Sequence, residues 1–141
     1  MRTIAVILCL TTLLGCPEHA QHEAAPSAAG GNPVQNEMKL LSTALEGAVR
    51  RIGQGDVRPV EHDLHRVHAA KEATEKALHG GQYRLPKNPD QVERFHTLDE
   101  AFHRDLERLV HASQQNDVDA AAKALGELIQ SCQGCHSQFR K

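Results

Sequence analysis

The sequence predicts one all-α domain, an up-down-up-down four-helix bundle, and three observations lead to this. First, the chain has 141 residues, which suits a single domain. Second, only 3% of its residues are aromatic, while Ala, Leu, Glu, Lys and Gln are abundant, which favours helices over sheets. Third, four segments repeat apolar residues at helical spacing, and the connections between them are short, as in antiparallel bundles.

The first two helices are predicted at about 33–53 and 56–79. Residues 32–35, Asn-Pro-Val-Gln, supply an N-cap, a proline at the first helical position and a glutamine at the third. Asp56 is the expected start of the second helix. Glycines mark the ends of both helices: Gly53 and Gly55 after the first, Gly80 and Gly81 after the second.

The last two helices are predicted at about 89–115 and 117–140. Asn88-Pro89-Asp90-Gln91 repeats the start signal of the first helix, and Asn116-Asp117 begins the fourth. All four helices have an apolar stripe that should face the core. Its members are Val34, Met38, Leu41, Leu45, Ala48 and Ile52; Val60, Leu64, Val67, Thr74, Ala77 and Leu78; Val92, Phe95, Phe102, Leu106 and Leu109; Val118, Leu125, Cys132 and Phe139.

The N-terminus has the pattern of an export signal. A charged start is followed by an apolar run, Ile4 to Leu14, that is too short to span about 30 Å of hydrocarbon. Leu13, Gly15 and Cys16 resemble a bacterial lipoprotein processing site; an ordinary signal peptide cleaved elsewhere is the alternative. The interpretation is a signal peptide over residues 1–15, a flexible tether lipidated at Cys16 over 16–31, and the bundle over 32–141.

One motif near the C-terminus points to a prosthetic group. In Cys132-Gln133-Gly134-Cys135-His136, two thiols one helical turn apart can form thioethers to the two vinyl groups of a haem. The adjacent His136 can then bind the iron as the proximal ligand. A redox disulfide or a zinc site would use the same cysteines, but a redox pair usually begins a helix, and zinc would need further ligands.

The position of this motif suggests a family. Cys132-x-x-Cys135-His136-x-x-Phe139-Arg140, at the end of a fourth helix, resembles the cytochrome c′ family and its low-spin relatives, four-helix haem proteins of the bacterial periplasm. The resemblance covers the chain from about residue 33 to the end. It implies one covalent haem c between the helices, with His136 on one face of the ring and Arg140 at a propionate. A first-helix side chain lies over the other face, either apolar or a ligating methionine.

Met38 is the expected distal ligand. In an up-down-up-down bundle the end of helix four lies level with the start of helix one, and Met38 lies on the inward stripe near that start. As a filler of the core it would occupy the same place. His96 is the alternative sixth ligand, and Phe95 is expected to pack on the ring. The family often has an arginine near this point to meet a propionate, where this chain has Lys39.

Other polar residues in the sequence suggest weaker roles or none. His62, His65 and His68 have a spacing that could bind Zn²⁺ or Cu²⁺ weakly, although exposed histidines explain them better. Asp99 falls within the apolar face of helix three, where we expect it at a solvated margin, and His103 has no evident partner.

The function predicted from these features is electron transfer. A haem with both axial positions filled suits a carrier, whereas an open face would bind NO or CO; a haem-free interaction bundle is the third alternative. No arrangement of residues suggests an enzyme. The 16 basic and 18 acidic residues are mixed, which excludes a basic stripe for nucleic acid. Expected partners are redox proteins of the cell envelope, a membrane reached through Cys16, and, by resemblance, a second copy of the chain.

Overall fold

A computed structural model describes residues 32–141, which form four helices. These are α1 (Pro33–Gln54), α2 (Val60–His79), α3 (Val92–Gln114) and α4 (Val118–Phe139). Each helix packs against two others: α1 mainly on α2, α3 mainly on α4, with the two pairs joined through α2–α3 and α1–α4. This confirms the predicted all-α four-helix bundle. Within the same range, no helix is both long enough and apolar enough to cross a bilayer. The predicted signal peptide, Cys16 and the tether lie outside the described residues.

The start and end of α1 and the start of α4 were predicted to within one residue, because the residues that cap them are close in sequence. Asn32 caps α1, its side-chain oxygen accepting from the amides of Val34 at 3.1 Å and Gln35 at 3.4 Å. Gly55 ends α1 in the left-handed region, with φ 72°, and Gly53 lies within the helix. Asp117 caps α4 by accepting from the amide of Ala120 at 2.9 Å.

The predicted start of α2 was wrong by four residues. The helix begins at Val60 and not at residue 56. Asp56 instead accepts hydrogen bonds from the backbone amide of Arg58 at 3.3 Å and from its guanidinium at 2.8 Å. An aspartate that bonds to the backbone two residues later stabilises a turn in competition with the helix.

The predicted start of α3 was also wrong, because Asn88 of the repeated Asn-Pro sequence does not cap this helix. The helix begins at Val92 and not at residue 89. Asn88 has a positive φ of 50°, and its side-chain amide donates to the carbonyl of Gln138 in α4 at 2.8 Å. Beside it, the Lys87 ammonium donates to the carbonyl of Ser137 at 2.6 Å. The loop before α3 is therefore held on the last turn of α4.

Two clusters of buried apolar residues stabilise the bundle, and the smaller one lies where the loop before α3 meets the last turn of α4. The larger one runs through the bundle and includes Leu41, Leu64, Leu109 and Leu128. The smaller one joins the α2–α3 loop to the end of α4 and consists of Leu78, Leu85, Phe95 and Phe139. The rings of Phe95 and Phe139 meet edge to face, with centroids 5.4 Å apart, a favourable aromatic geometry. The last turn of α4 is thus held by the α2–α3 loop on one side and by Phe95 of α3 on the other.

Candidate cofactor site

A cavity of about 860 Å³ lies between the start of α1, the inner face of α3, the end of α4 and the loop before α3. Its volume is within the range of about 300–1,000 Å³ that is typical of small-molecule and cofactor sites. All six residues predicted to contact the cofactor line it: Met38, Phe95, Cys132, Cys135, His136 and Arg140. The end of α4 and the start of α1 are level, as the bundle topology predicts.

The two cysteines of the motif are free, half-buried and one turn apart on α4. Burial raises the pKa of Cys132, and it raises the pKa of Cys135 to about 11, where Asp99 and Cys132 add to the effect. Both groups are therefore neutral thiols at physiological pH. A redox-active pair needs a readily formed thiolate, so this environment does not favour the disulfide alternative.

His136 follows the second cysteine and faces the same cavity from the last turn of α4. Burial lowers the pKa of His136, and the charge of Arg140 lowers it further. The neutral imidazole that results is the form that binds a metal. The turn itself is held by Gly134, whose carbonyl accepts from Ser137 Oγ at 2.8 Å and Gln138 Nε2 at 3.0 Å.

Met38 lines the cavity. It is far from the Cys-x-x-Cys-His motif in the sequence but close to it in space. Met38 is half-buried on α1 and also packs against the larger core cluster. Lys39 lines the cavity as well. His96 does not: its Nε2 lies 3.7 Å from Glu75 Oε1 and 3.9 Å from Glu100 Oε1, on the other side of α3. Of the two candidate sixth ligands, only Met38 is brought to the thiols and the imidazole.

The remaining wall comes from α3 and the loop before it. Phe95 is buried and lines the cavity, where it also packs on Phe139. Tyr83, Leu85 and Pro86 of the loop line the same wall. Apart from Asp99, this side of the cavity is thus formed by apolar and aromatic groups, as expected around a flat, largely apolar cofactor.

The predictions for Asp99 and His103 were wrong, and Glu37 was not predicted at all. Asp99 is buried and not at a solvated margin, and His103 is buried with two partners. The Nε2 atom of His103 lies 3.1 Å from Glu37 Oε1 and 3.7 Å from Asp99 Oδ1. Glu37 has no exposed surface at all. We call Glu37, Asp99 and His103 the buried polar cluster.

A sequence signal for Glu37 does exist. The buried residues of α1 are Val34, Glu37, Leu41, Ala44 and Ala48, which alternate in steps of three and four. Glu37 therefore lies on the most buried row of a helix, where an ionisable residue needs a partner. The partner is 66 residues away in α3, so only the tertiary structure identifies it.

The buried polar cluster shifts the titration of Asp99. Burial raises its pKa to about 6, and the Glu37 carboxylate and Glu75 raise it too, against the opposing effect of His103 and Lys71. In the unfolded chain an aspartate has a pKa of about 3.9. The free energy of unfolding therefore falls as pH rises from about 4 to about 6, because Asp99 keeps its proton in the native state while it ionises in the unfolded chain, and it stays lowered above pH 6.

We expect Asp99→Asn to stabilise the protein at pH 8 by about 1–3 kcal/mol, following about 1.4 kcal/mol per pKa unit. The gain should shrink as pH falls from 6 to 4 and should be nearly gone at pH 3.5, because Asp99 is then mostly protonated in both states. Urea unfolding in EDTA at the two pH values measures it. Asp90→Asn, at an exposed position, is the control. An equal gain at both pH values would contradict the assignment.

The three histidines of α2 do not form a metal site in the structure. His62, His65 and His68 are all exposed. His65 lies 3.6 Å from Glu61, and the ring of His68 packs edge-on against His103, with centroids 6.2 Å apart. None of the three belongs to a converging set of metal-ligating groups among residues 32–141.

Comparison with known proteins agrees with the motif and the fold. A family model described as Cytochrome C′ matches residues 79–140, which comprise the loop before α3, α3 itself and α4. No curated protein and no solved structure matches the chain. The matched segment contains Cys132, Cys135 and His136, and the all-helical bundle is the architecture expected of such proteins. Over residues 79–140, which carry the motif, the chain therefore matches the cytochrome c′ family, a family of haem-binding c-type cytochromes.

Proposed function

We propose that the protein is an electron carrier with one covalent haem c, held through Cys132 and Cys135. In this proposal His136 is the proximal ligand of the iron and Met38 is the distal one. The observation that supports it best is that Met38 of α1 and the two cysteines and the histidine of the α4 motif line one cavity. A thioether and a neutral imidazole on the two sides form the ligand pair of many electron-transfer haems.

The residues of the cavity fit such a group. Neutral thiols are present for thioether bonds, and the lowered pKa of His136 keeps its imidazole available. Lys39, Arg140 and Lys141 are the cations that line the cavity, and they suit the anionic propionates. A bound haem supplies a one-electron iron couple. The apolar wall around Phe95 limits the access of water to it.

Both axial side chains sit on fixed helices, and this suits electron transfer. Met38 packs against the larger core cluster, and Cys135 packs against the smaller one next to His136. Ligands that keep their positions in both oxidation states leave little to reorganise when an electron moves. The same ligand pair raises the reduction potential relative to two histidines. In this role the protein is a carrier and has no enzymatic activity of its own.

The second candidate function is the binding of NO or CO by a five-coordinate haem. It is favoured by the apolar residues Val34, Leu41 and Leu45, which line the same wall as Met38. If Met38 only fills space, this wall offers a small neutral gas an apolar pocket at the distal face.

An optical spectrum of the matured protein separates the two functions. For the carrier we expect sharp α and β bands in the reduced form and no change when CO is added. A broad high-spin spectrum that shifts with CO would overturn the carrier proposal in favour of the gas binder. Colourless protein with two titratable thiols would overturn both.

We propose further that the protein works on the periplasmic side of a membrane. The supporting pattern is the export signal and the Leu13-Leu14-Gly15-Cys16 sequence, which would leave a lipid on Cys16. Residues 16–31 would then tether the bundle near the membrane, within reach of redox partners of the envelope. A homodimer through the first two helices remains the expectation from the family.

A further inference from the structure

The buried polar cluster has no part in the proposed haem ligation, and it joins α1 to α3. We propose that Glu37, Asp99 and His103 form a binding site for one divalent transition-metal ion, with Zn²⁺ as the probe. The ligands would be His103 Nε2 and one carboxylate oxygen from each acid. None of the three is a proposed haem ligand, so this inference does not rest on the proposed function.

The three ligand atoms already converge. His103 Nε2 lies 3.1 Å from Glu37 Oε1 and 3.7 Å from Asp99 Oδ1, and all three atoms are within 4.8 Å of one another. Around a tetrahedral zinc with bonds of about 2.0–2.2 Å, neighbouring ligand atoms are about 3.3–3.6 Å apart. The two measured separations, 3.1 Å and 3.7 Å, lie close to that spacing.

The charges of the cluster also favour a divalent cation. Two carboxylates and one imidazole are buried together, with side-chain exposures of 0%, 8% and 6% for Glu37, Asp99 and His103. Even a protonated imidazole balances only one carboxylate, and a buried charge without a counter-charge is costly. A divalent ion balances both carboxylates and leaves His103 neutral, which is the form that binds metals.

A second observation independently points to a missing ligand. The Oε2 atom of Glu37 is buried without any hydrogen-bond partner, although the side chain has no exposed surface. Buried carboxylate oxygens are almost always satisfied in folded proteins. Coordination of a metal ion by this carboxylate would satisfy it, and the Asp99 carboxylate and His103 Nε2 provide the other ligands at the same place.

Two cavities border the buried polar cluster. Asp99 lines the 860 Å³ cavity described above. His103 lines a second cavity, of about 270 Å³, together with the exposed His65 and His68. With haem in the larger cavity, the smaller one still gives a metal ion a path to His103 without unfolding of the bundle.

A surface cluster serves as the matched comparison. Glu75, His96 and Glu100 also bring three ligand atoms within 4.8 Å of one another, but they are only partly buried or exposed. The Lys71 ammonium already lies 2.6 Å from Glu75 and 3.9 Å from Glu100. Because a lysine competes for both carboxylates there, we expect zinc to prefer the buried polar cluster.

The test is a zinc titration of the mature protein with its haem attached. Any thiol without haem is first alkylated, metals are removed with EDTA and the EDTA is then exchanged away. Isothermal titration with Zn²⁺ should give one tight site per chain. Glu37→Gln and His103→Gln should weaken it by at least about 100-fold, since even outer-shell partners of a metal ligand contribute about 10–100-fold. His96→Gln should leave it nearly unchanged.

Two results would overturn the proposal: wild-type protein that binds no zinc tightly, or binding that is lost in His96→Gln and kept in Glu37→Gln. Far-UV circular dichroism shows whether the variants fold. If they do not, zinc-edge X-ray absorption of the wild-type protein decides the question. One imidazole among oxygen ligands supports the site, whereas sulfur or several imidazoles in the shell contradicts it.

Discussion

Replacement of both Cys132 and Cys135 with serine is expected to abolish covalent haem attachment, from one haem per chain to none. A hydroxyl at either position cannot form the thioether that links a vinyl group to the protein. The two cysteines are the only ones among the described residues, so no other thiol in the bundle can substitute. Haem staining of denaturing gels and the pyridine haemochrome spectrum measure the loss.

The matched control is Cys16→Ser, the same substitution in the predicted lipidation site. It should keep the full haem content and lose the lipid, which incorporation of labelled palmitate would show. Haem that stays covalently bound in the Cys132→Ser, Cys135→Ser double variant would refute the attachment site. Lipid that stays in Cys16→Ser would refute the anchor alone.

Met38→Leu is expected to convert a low-spin, CO-insensitive haem into a high-spin, CO-binding one. Leucine has nearly the same volume, so the contact with the core cluster is kept while the thioether sulfur is lost. The reduced α band should broaden, CO should bind to saturation, and the reduction potential should fall, because methionine ligation raises it. Optical spectra with and without CO and a redox titration measure the three effects.

Two further variants make this result specific. Leu45→Ala removes apolar volume from the same wall of the cavity but no metal ligand, so it should keep the low-spin spectrum. His96→Gln tests the rival ligand, which the structure places beside Glu75 and Glu100. A sharp α band that survives in Met38→Leu and disappears in His96→Gln would assign the sixth position to His96.

Much of the architecture follows from interactions between residues that are close in sequence. The apolar stripes, the Asn32 cap, the Gly55 turn and the Asp117 cap each depend on contacts within a few residues, and all are present as predicted. The site was predictable for a similar reason. The Cys-x-x-Cys-His spacing is set by one turn of α4, and the antiparallel topology alone brings Met38 level with it.

A helix start predicted from neighbouring residues was wrong where a residue distant in the sequence binds the same side chain. Asn88 has the sequence context of an N-cap, but its side chain bonds to the carbonyl of Gln138 and the helix begins later. Only the folded chain brings these residues together, because they are 50 positions apart. The prediction that Asp56 starts α2 was wrong for a different reason. Its side chain accepts from the amide of Arg58, two residues later, and this bond stabilises a turn in place of the helix.

The four helices, the position of the Cys-x-x-Cys-His motif on the last of them and the stripe that carries Met38 were all predictable from the sequence. The buried polar cluster, by contrast, could not be predicted, because its members meet only in the folded bundle. Glu37 and His103 are on different helices, and their 3.1 Å contact depends on how α1 and α3 approach across the bundle. Helical periodicity gives the face on which a residue lies, but which charged residues meet is decided by the packing of one face against another.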